Sequence, residues 1–157
     1  MIYIGIDPGK QGGIGIRRSP DYHVLYTVYD MPVLVNGEID GNEIYRIVKS
    51  NRFGRVFCFV EKAQAMPQQG VVSTFKYGMG YGKILAVLEI LKIPYQEISP
   101  QKWKKHFNLI KKDKKESVAV ATKLFPKVEF KTKRGRLLDG RAEALLIAEF
   151  CRRTYND

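Results

Sequence analysis

The sequence predicts an α/β fold, a mixed β-sheet with helices on both faces. Two short apolar runs, IYIGID at Ile2–Asp7 and VFCFV at 56–60, read as strands buried on both sides. Each run ends at an acid, Asp7 and Glu61. Between the two runs, segments alternating at period two read as antiparallel strands, and beyond Glu61 helical patterns interleave with one further strand. A meander followed by such interleaving is the pattern of a mixed sheet covered by helices.

After Asp7 comes Pro8-Gly9-Lys10-Gln11-Gly12-Gly13, a turn dense in Gly and Pro. Ile14 and Ile16, then residues 22–29 (YHVLYTVY), have β-branched and aromatic alternation, so the chain opens as strand, tight turn, strand, strand. Residues 42–50 predict a short helix with Ile44, Ile47 and Val48 on one face, and residues 62–70 a polar loop. A long helix is expected over 71–92, interrupted by Gly78, Gly80 and Gly82, then a strand over 94–98. At Ser99-Pro100 a helix should start, with Ser capping and Pro in the first turn, leading into a basic segment with Trp103 at its centre. Residues 113–125 predict a helix closed by Pro126, residues 131–136 a basic loop, and residues 138–153 a last, Ala- and Leu-rich helix. No repeat, low-complexity stretch or linker stands out, so residues 1–157 are expected to form one domain.

Lys and Arg number 27 against 16 Asp and Glu, a net charge of +11, which makes a polyanion the first partner to consider. Cys58 and Cys151 are too few for a disulfide scaffold or a Cys-only zinc site, and both sit in apolar stretches that suit a reducing compartment. No window approaches the roughly 18 uncharged apolar residues of a membrane span. The N-terminal residues do not have the pattern of a signal peptide, so a cytoplasmic location is expected.

The acids carry the chemistry. Asp139 and Glu143 are four apart, hence on one helix face, and with Asp7 and Glu61 they make four carboxylates on three elements distant in sequence. Each alone has a structural reading: Asp7 can start the turn at Pro8, Asp139 can cap the helix, and Glu143 can pair with Arg141 or another base. Together they point to a metal site. Clustered carboxylates repel one another unless protonated or neutralised, and divalent cations with hard oxygen ligands offset that charge. Mg²⁺ suits few carboxylates completed by water and phosphate oxygens, and a pair of such ions serves phosphodiester hydrolysis. His23 and His106 have no partner at zinc-ligand spacing.

Asp7-Pro8-Gly9 after a first strand, Glu61 after a central strand and Ala142-Glu143-Ala144-Leu145 in the C-terminal helix resemble the RuvC family of Holliday-junction resolvases, most closely its bacteriophage-type members. The likeness runs over essentially the whole chain and includes Ser99-Pro100-x-x-Trp103-Lys104 and Lys114-Lys115. It implies an RNase H-like fold and an endonuclease using two Mg²⁺ ions, for which Mn²⁺ can substitute. It also implies a homodimer that cuts two strands of a four-way junction, in the host cell cytoplasm if phage-encoded. Asp7, Glu61 and Glu143 match the family's metal-binding acids. The commoner pattern puts the helix acids three apart, at a position that is Gly140 here, so Asp139 takes the fourth place at a spacing of four. Lys115 aligns with a lysine used near the scissile phosphate and Lys104 with a second functional lysine. Where the family often places a junction-facing aromatic, this chain has Gln64, with Met66 nearby.

Lys102, Lys104, Lys105, Lys111, Lys112, Lys114, Arg134 and Arg136 crowd the C-terminal half, a density suited to a phosphate backbone. No helix-turn-helix or zinc-finger signature is present, so recognition by shape and backbone is expected over base readout. Trp103 reads as a core anchor in this segment. Gly78 and Gly82 make a flat stripe where another backbone can approach, and in the resembled family the corresponding helix forms the dimer interface. Two other functions stay open on the sequence: a different RNase H-like nuclease acting on RNA–DNA hybrids or RNA precursors, and a non-catalytic branched-DNA-binding module.

Overall fold

The computed structural model describes residues 1–23, 25–65 and 70–156. Five strands, β1 (Ile2–Asp7), β2 (Gly13–Arg18), β3 (Tyr26–Asp30), β4 (Val56–Glu61) and β5 (Tyr95–Ile98), form one sheet in the order β3-β2-β1-β4-β5. β1, β2 and β3 pair antiparallel as the expected meander, while β4 and β5 join parallel to β1 and to each other. The helices are α1 (Gly41–Asn51), α2 (Val71–Ile90), α3 (Pro100–His106), α4 (Lys114–Leu124) and α5 (Asp139–Asn156).

Strand alternation divides the core into two layers. Ile2, Ile4 and Ile6 of β1, with Ile14 and Ile16 of β2, face α1 and α2, where Ile44, Val48, Ile84 and Leu88 meet them. Tyr3 and Phe59 face the opposite way, into a layer built by α3, α4 and α5 around Trp103, Val118, Leu145 and Leu146. Glycine sets the thickness of that second layer. A Cβ on Gly5 would lie 2.2 Å from the Ala148 amide nitrogen, and one on Gly15 2.5 Å from the Ala144 carbonyl oxygen, so α5 rests on bare backbone. This contact brings the start of α5 down to the end of β1.

Element limits follow the sequence pattern to within a residue or two, except that α5 runs three residues past the expected 153 and β3 starts late. β3 begins at Tyr26 rather than at residue 22, because Tyr22 sits in a turn whose amide donates to the Ser19 carbonyl at 3.2 Å. Its aromatic alternation is genuine, but the local turn takes it out of the ladder. Asp40 and Asp113 cap α1 and α4 through their side chains, whereas the Ser99 side chain makes no capping bond to α3. Both cysteines are buried and free. Among the described residues no helix is long and apolar enough to cross a membrane.

Candidate active site

Asp7 and Glu61 are the last residues of two parallel neighbours whose register pairs Ile6 with Val60, so both carboxylates leave the sheet at one edge. Asp139 opens α5 and Glu143 follows one turn later. Gly140 fixes the height of that helix start: a Cβ there would lie 1.9 Å from the Gln11 carbonyl oxygen. No side chain fits at 140, which is the physical reason the helix acid stands at 139. Of the structural roles open to these two acids, capping by Asp139 and an Arg141 pair for Glu143 are absent, while Glu143 does pair with another base, Lys104. Asp139 lies inside the helix rather than capping it, and Arg141 pairs with Asp30 (2.6 Å) rather than with Glu143.

The four acids share one electrostatic neighbourhood. Burial, then the charges of Glu61 and Glu143, push the Asp7 carboxyl up to about 7, with Asp139 adding to the effect. Burial raises Glu61, opposed by a hydrogen bond from Trp103 Nε1 to its Oε2 at 2.6 Å and by Lys104. Burial also raises Glu143, where the charges of Glu61 and Asp139 add and Lys104 and Lys114 oppose. Lys104 Nζ stands 3.9 Å from Glu143 Oε1, Ser117 Oγ donates to the same oxygen at 3.4 Å, and Lys114 Nζ donates to Asp139 Oδ2 at 2.5 Å.

Among the described residues no group of three or more His, Cys, Asp and Glu side chains is gathered closely enough to hold an ion. Three of the acids are engaged by donors instead, Glu61 by Trp103, Glu143 by Lys104 and Asp139 by Lys114, while Asp7 accepts from the Gly9 amide. The donor set nevertheless fits a hard divalent cation. It is all carboxylate oxygen, and burial, with the acids' own charges at Asp7 and Glu143, raises the proton affinities of Asp7, Glu61 and Glu143, which a cation would offset.

Several expected site residues fall into place around these acids. Trp103 is the core anchor expected of it, fully buried, with its one polar atom spent on Glu61. Lys104 lies against Glu143, while Lys102, Lys105, Lys111, Lys112, Arg134, Arg136 and Gln64 are exposed. Arg136 shares a small cavity of about 230 Å³ with Lys10, Asp30 and Asp139, next to the acids. Met66 lies outside the described residues. Lys115 is exposed and has no ion pair among the described residues, and its neighbour Lys114 reaches Asp139 instead. Consecutive helical residues point about 100° apart, so only one of two adjacent lysines can face the site. Gly78 and Gly82 are exposed on α2, and among the described residues nothing comes within 4 Å of a Cβ at either position.

Two groups at the site were not singled out from the sequence. Ser117 on α4 holds Glu143. Tyr77 on α2 faces the acids: burial, then the charges of Asp7 and Glu61, push its hydroxyl up to about 12. Only the helical spacing of Tyr77 was legible, and that says nothing about what lies opposite.

No protein-family model matches this sequence, and no curated protein matches it. Solved structures do. Thermus thermophilus RuvC superposes with a TM-score of 0.61 at 17% identity, covering 99% of this chain and 97% of that one. The chain has the RuvC fold. T. thermophilus RuvC in complex with Holliday junction substrate gives a TM-score of 0.63 at 18% identity, over 98% of this chain and 96% of that one. The RNase H-like mixed sheet with helices on both faces expected from the sequence is therefore the one observed, and in it the four acids occupy the ends of β1 and β4 and the start of α5.

Proposed function

We propose that this protein is a divalent-metal-dependent endonuclease of the RuvC type that resolves four-way DNA junctions by hydrolysing one phosphodiester in each of two strands. The observation that carries the proposal is the convergence of Asp7, Glu61, Asp139 and Glu143 from three elements of a RuvC fold, within a protein of net charge +11. Asp7, Glu61 and Glu143, with Asp139, would hold two Mg²⁺ ions. Bound there, the ions supply a water of lowered pKa and neutralise charge on the leaving oxygen. The chain's own groups do the rest. Trp103 fixes the orientation of Glu61, and Ser117 that of Glu143. Lys104 and Lys114 offset the acids' charge and stand ready to pair with the scissile phosphate. We assign to Lys114 the role the resemblance gave to Lys115, because Lys114 is the lysine beside the acids. The exposed lysines of α3 and of the segment before α4, with Arg134 and Arg136, hold the phosphate backbone without reading bases.

A four-way junction is pseudo-two-fold, so a symmetric dimer presents two sites to it. The exposed face of α2 with Val71, Gly78 and Gly82 supports such pairing.

The test is Mg²⁺-dependent cleavage of a four-way junction, a flap, linear duplex and an RNA–DNA hybrid, alongside binding. Cutting is expected on the junction. Asp7→Asn, Glu61→Gln and Glu143→Gln should each lower it by at least about a hundredfold, on the order of 3 kcal/mol of transition-state stabilisation, with junction binding retained. Near-normal cutting by Glu143→Gln would break the constellation. Preference for the hybrid would select the other nuclease, and binding without cutting by the wild type would leave a DNA-binding module.

A further inference from the structure

We propose that the cleft between the 31–40 hairpin and the first half of α2 takes one unpaired nucleotide of the DNA strand, its base on the cleft's apolar wall and its phosphate on the lysines at the rim. This rests on the nuclease reading above and extends it to the ground beside the acids.

The cleft encloses about 480 Å³, within the roughly 300–1,000 Å³ of small-molecule pockets. Its wall is Ile39, Val72, Phe75 and Met79, and Lys10, Lys76 and Lys83 stand around it. Val72 and Phe75 are each 68% exposed, an aliphatic and an aromatic surface left bare in a strongly basic protein. A stacking surface ringed by ammonium groups suits a single-stranded nucleotide. Paired bases hide their faces in the duplex stack and cannot enter such a slot, and an uncharged apolar guest would leave Lys10 and Lys76 without an anion, since Glu38 is taken by Lys83. Asn36 at the rim, whose Oδ1 accepts from Glu38 N at 3.0 Å, offers its amide NH₂ to a base edge. The one acid in the lining, Glu38, is engaged by Lys83 at 3.1 Å.

The cleft adjoins the carboxylates. Pro8 follows Asp7 in the chain, and Tyr77, whose hydroxyl feels the charges of Asp7 and Glu61, also lines the cleft. An occupant therefore lies next to the strand segment held at the acids.

The hairpin is fixed rather than loose. Leu34 N donates to the Glu38 carbonyl at 2.8 Å and Asp40 N to the Pro32 carbonyl at 3.0 Å. Lys83 also donates to the Ile39 carbonyl at 3.3 Å. Ile39 is seated over Gly80, where a Cβ would come within 2.6 Å of it, so this glycine lets the hairpin dock on α2. At the hairpin tip Leu34 and Val35 are exposed, Val35 wholly so. An apolar tip held beside a base-sized slot is the arrangement that wedges a base step apart and receives the extruded base. It supplies apolar surface next to the site in a chain whose β4–α2 loop carries Gln64. Lys76, Met79 and Lys83 lie to one side of Phe75 around α2 and Gly78 and Gly82 to the other, so a dimer formed through the glycines leaves the lysine side of the cleft open.

Photocrosslinking tests this. A short oligothymidylate carrying one 5-iodouracil is irradiated with the full-length protein, and the adduct is mapped by mass spectrometry. Adducts are expected on Phe75, Tyr77 or Met79. Met79→Trp, which fills the cleft, and Lys76→Glu, which removes a rim charge, should each lower the yield about tenfold, the loss of roughly one base-stacking or phosphate contact. Both replace exposed side chains, and an unchanged melting transition confirms that they fold. Adducts mapping elsewhere, or an undiminished yield in both variants, would overturn the proposal. Junction cleavage measured on the same samples separates the two readings. Adducts in the cleft without cutting sink the nuclease and keep the cleft, and cutting without adducts in the cleft does the reverse.

Discussion

Asp7 concentrates the electrostatics of the site in one side chain. Its carboxyl is pushed from 3.8 up to about 7 by burial first and by Glu61 and Glu143 next, so the folded chain keeps a proton that the unfolded chain releases. The sign of the linkage follows: without metal, stability falls as pH rises between about 4 and about 7, and changes little from this group above that window. Asp7→Asn removes the titration. The metal-free variant should melt higher than the metal-free wild type above the window and close to it below. Mg²⁺ should raise the wild-type melting temperature more than the variant's, because the ion binds the folded site alone. Melting curves against pH, with chelator and with Mg²⁺, check both statements. A wild-type transition that does not move across the window would remove the case for clustered carboxylates. Glu149 shows the opposite outcome of burial. Three arginines, Arg17, Arg152 and Arg153, lie within 3.1 Å of its carboxylate and hold it down to about 2 although burial pushes it up. It is a charge settled by the fold, and nothing about it calls for a cation from outside.

At the scale of elements, two glycines position the pieces and differ in what they touch. Gly5 lies under α5 with backbone atoms of Ala144, Ile147 and Ala148 as its nearest neighbours, so an added methyl must displace a helix or a strand. Gly80 has as its nearest neighbours the Ile39 side-chain atoms, so an added methyl displaces the edge of the hairpin rather than the backbone of a helix. Gly5→Ala is therefore expected to cost about 3 kcal/mol, the upper end for overpacking. Gly80→Ala should cost about 1 kcal/mol or less, because the gain in helix propensity offsets part of the clash. Chemical denaturation of the two variants measures this, and the reverse order would show that the sheet–α5 contact is looser than the geometry implies. Gly5→Ala should also impair cleavage beyond its loss of stability, since the contact it disturbs sets Asp139 and Glu143 against Asp7.

Over the whole molecule, charge and shape are both unevenly shared. Basic residues are exposed along α3, before α4 and in the loop preceding α5, while α2 turns apolar and glycine surface to solvent. Among the described residues no neighbour stands over Gly78 or Gly82, so a large side chain there should leave the monomer fold intact and act on pairing alone. Light scattering should give twice the chain mass for the wild type. Gly82→Leu should give a single chain mass with an unchanged circular dichroism spectrum. A monomeric wild type, at concentrations where junctions are cut, would defeat the dimer.

What the sequence by itself determined was local and periodic. Strand, turn and helix limits were legible because burial on two faces, alternation and caps leave marks at short range, and β3 alone started late, where a turn at Ser19–Tyr22 competed with an aromatic pattern. The positions of the four acids were legible too, since Asp7 and Glu61 end strands, Asp139 opens a helix and Glu143 follows it by one turn. The tertiary structure decided everything that depends on how two elements meet. It selected Lys114 over Lys115, because the phase of α4 against α5 lets only one of two adjacent side chains face Asp139. It placed Tyr77 beside Asp7 and the 31–40 hairpin over Gly80, contacts between segments far apart in the chain. It also explained the acid at 139: the Gln11 carbonyl fills the space above position 140, and steric exclusion by a distant backbone leaves no mark in the residues on either side.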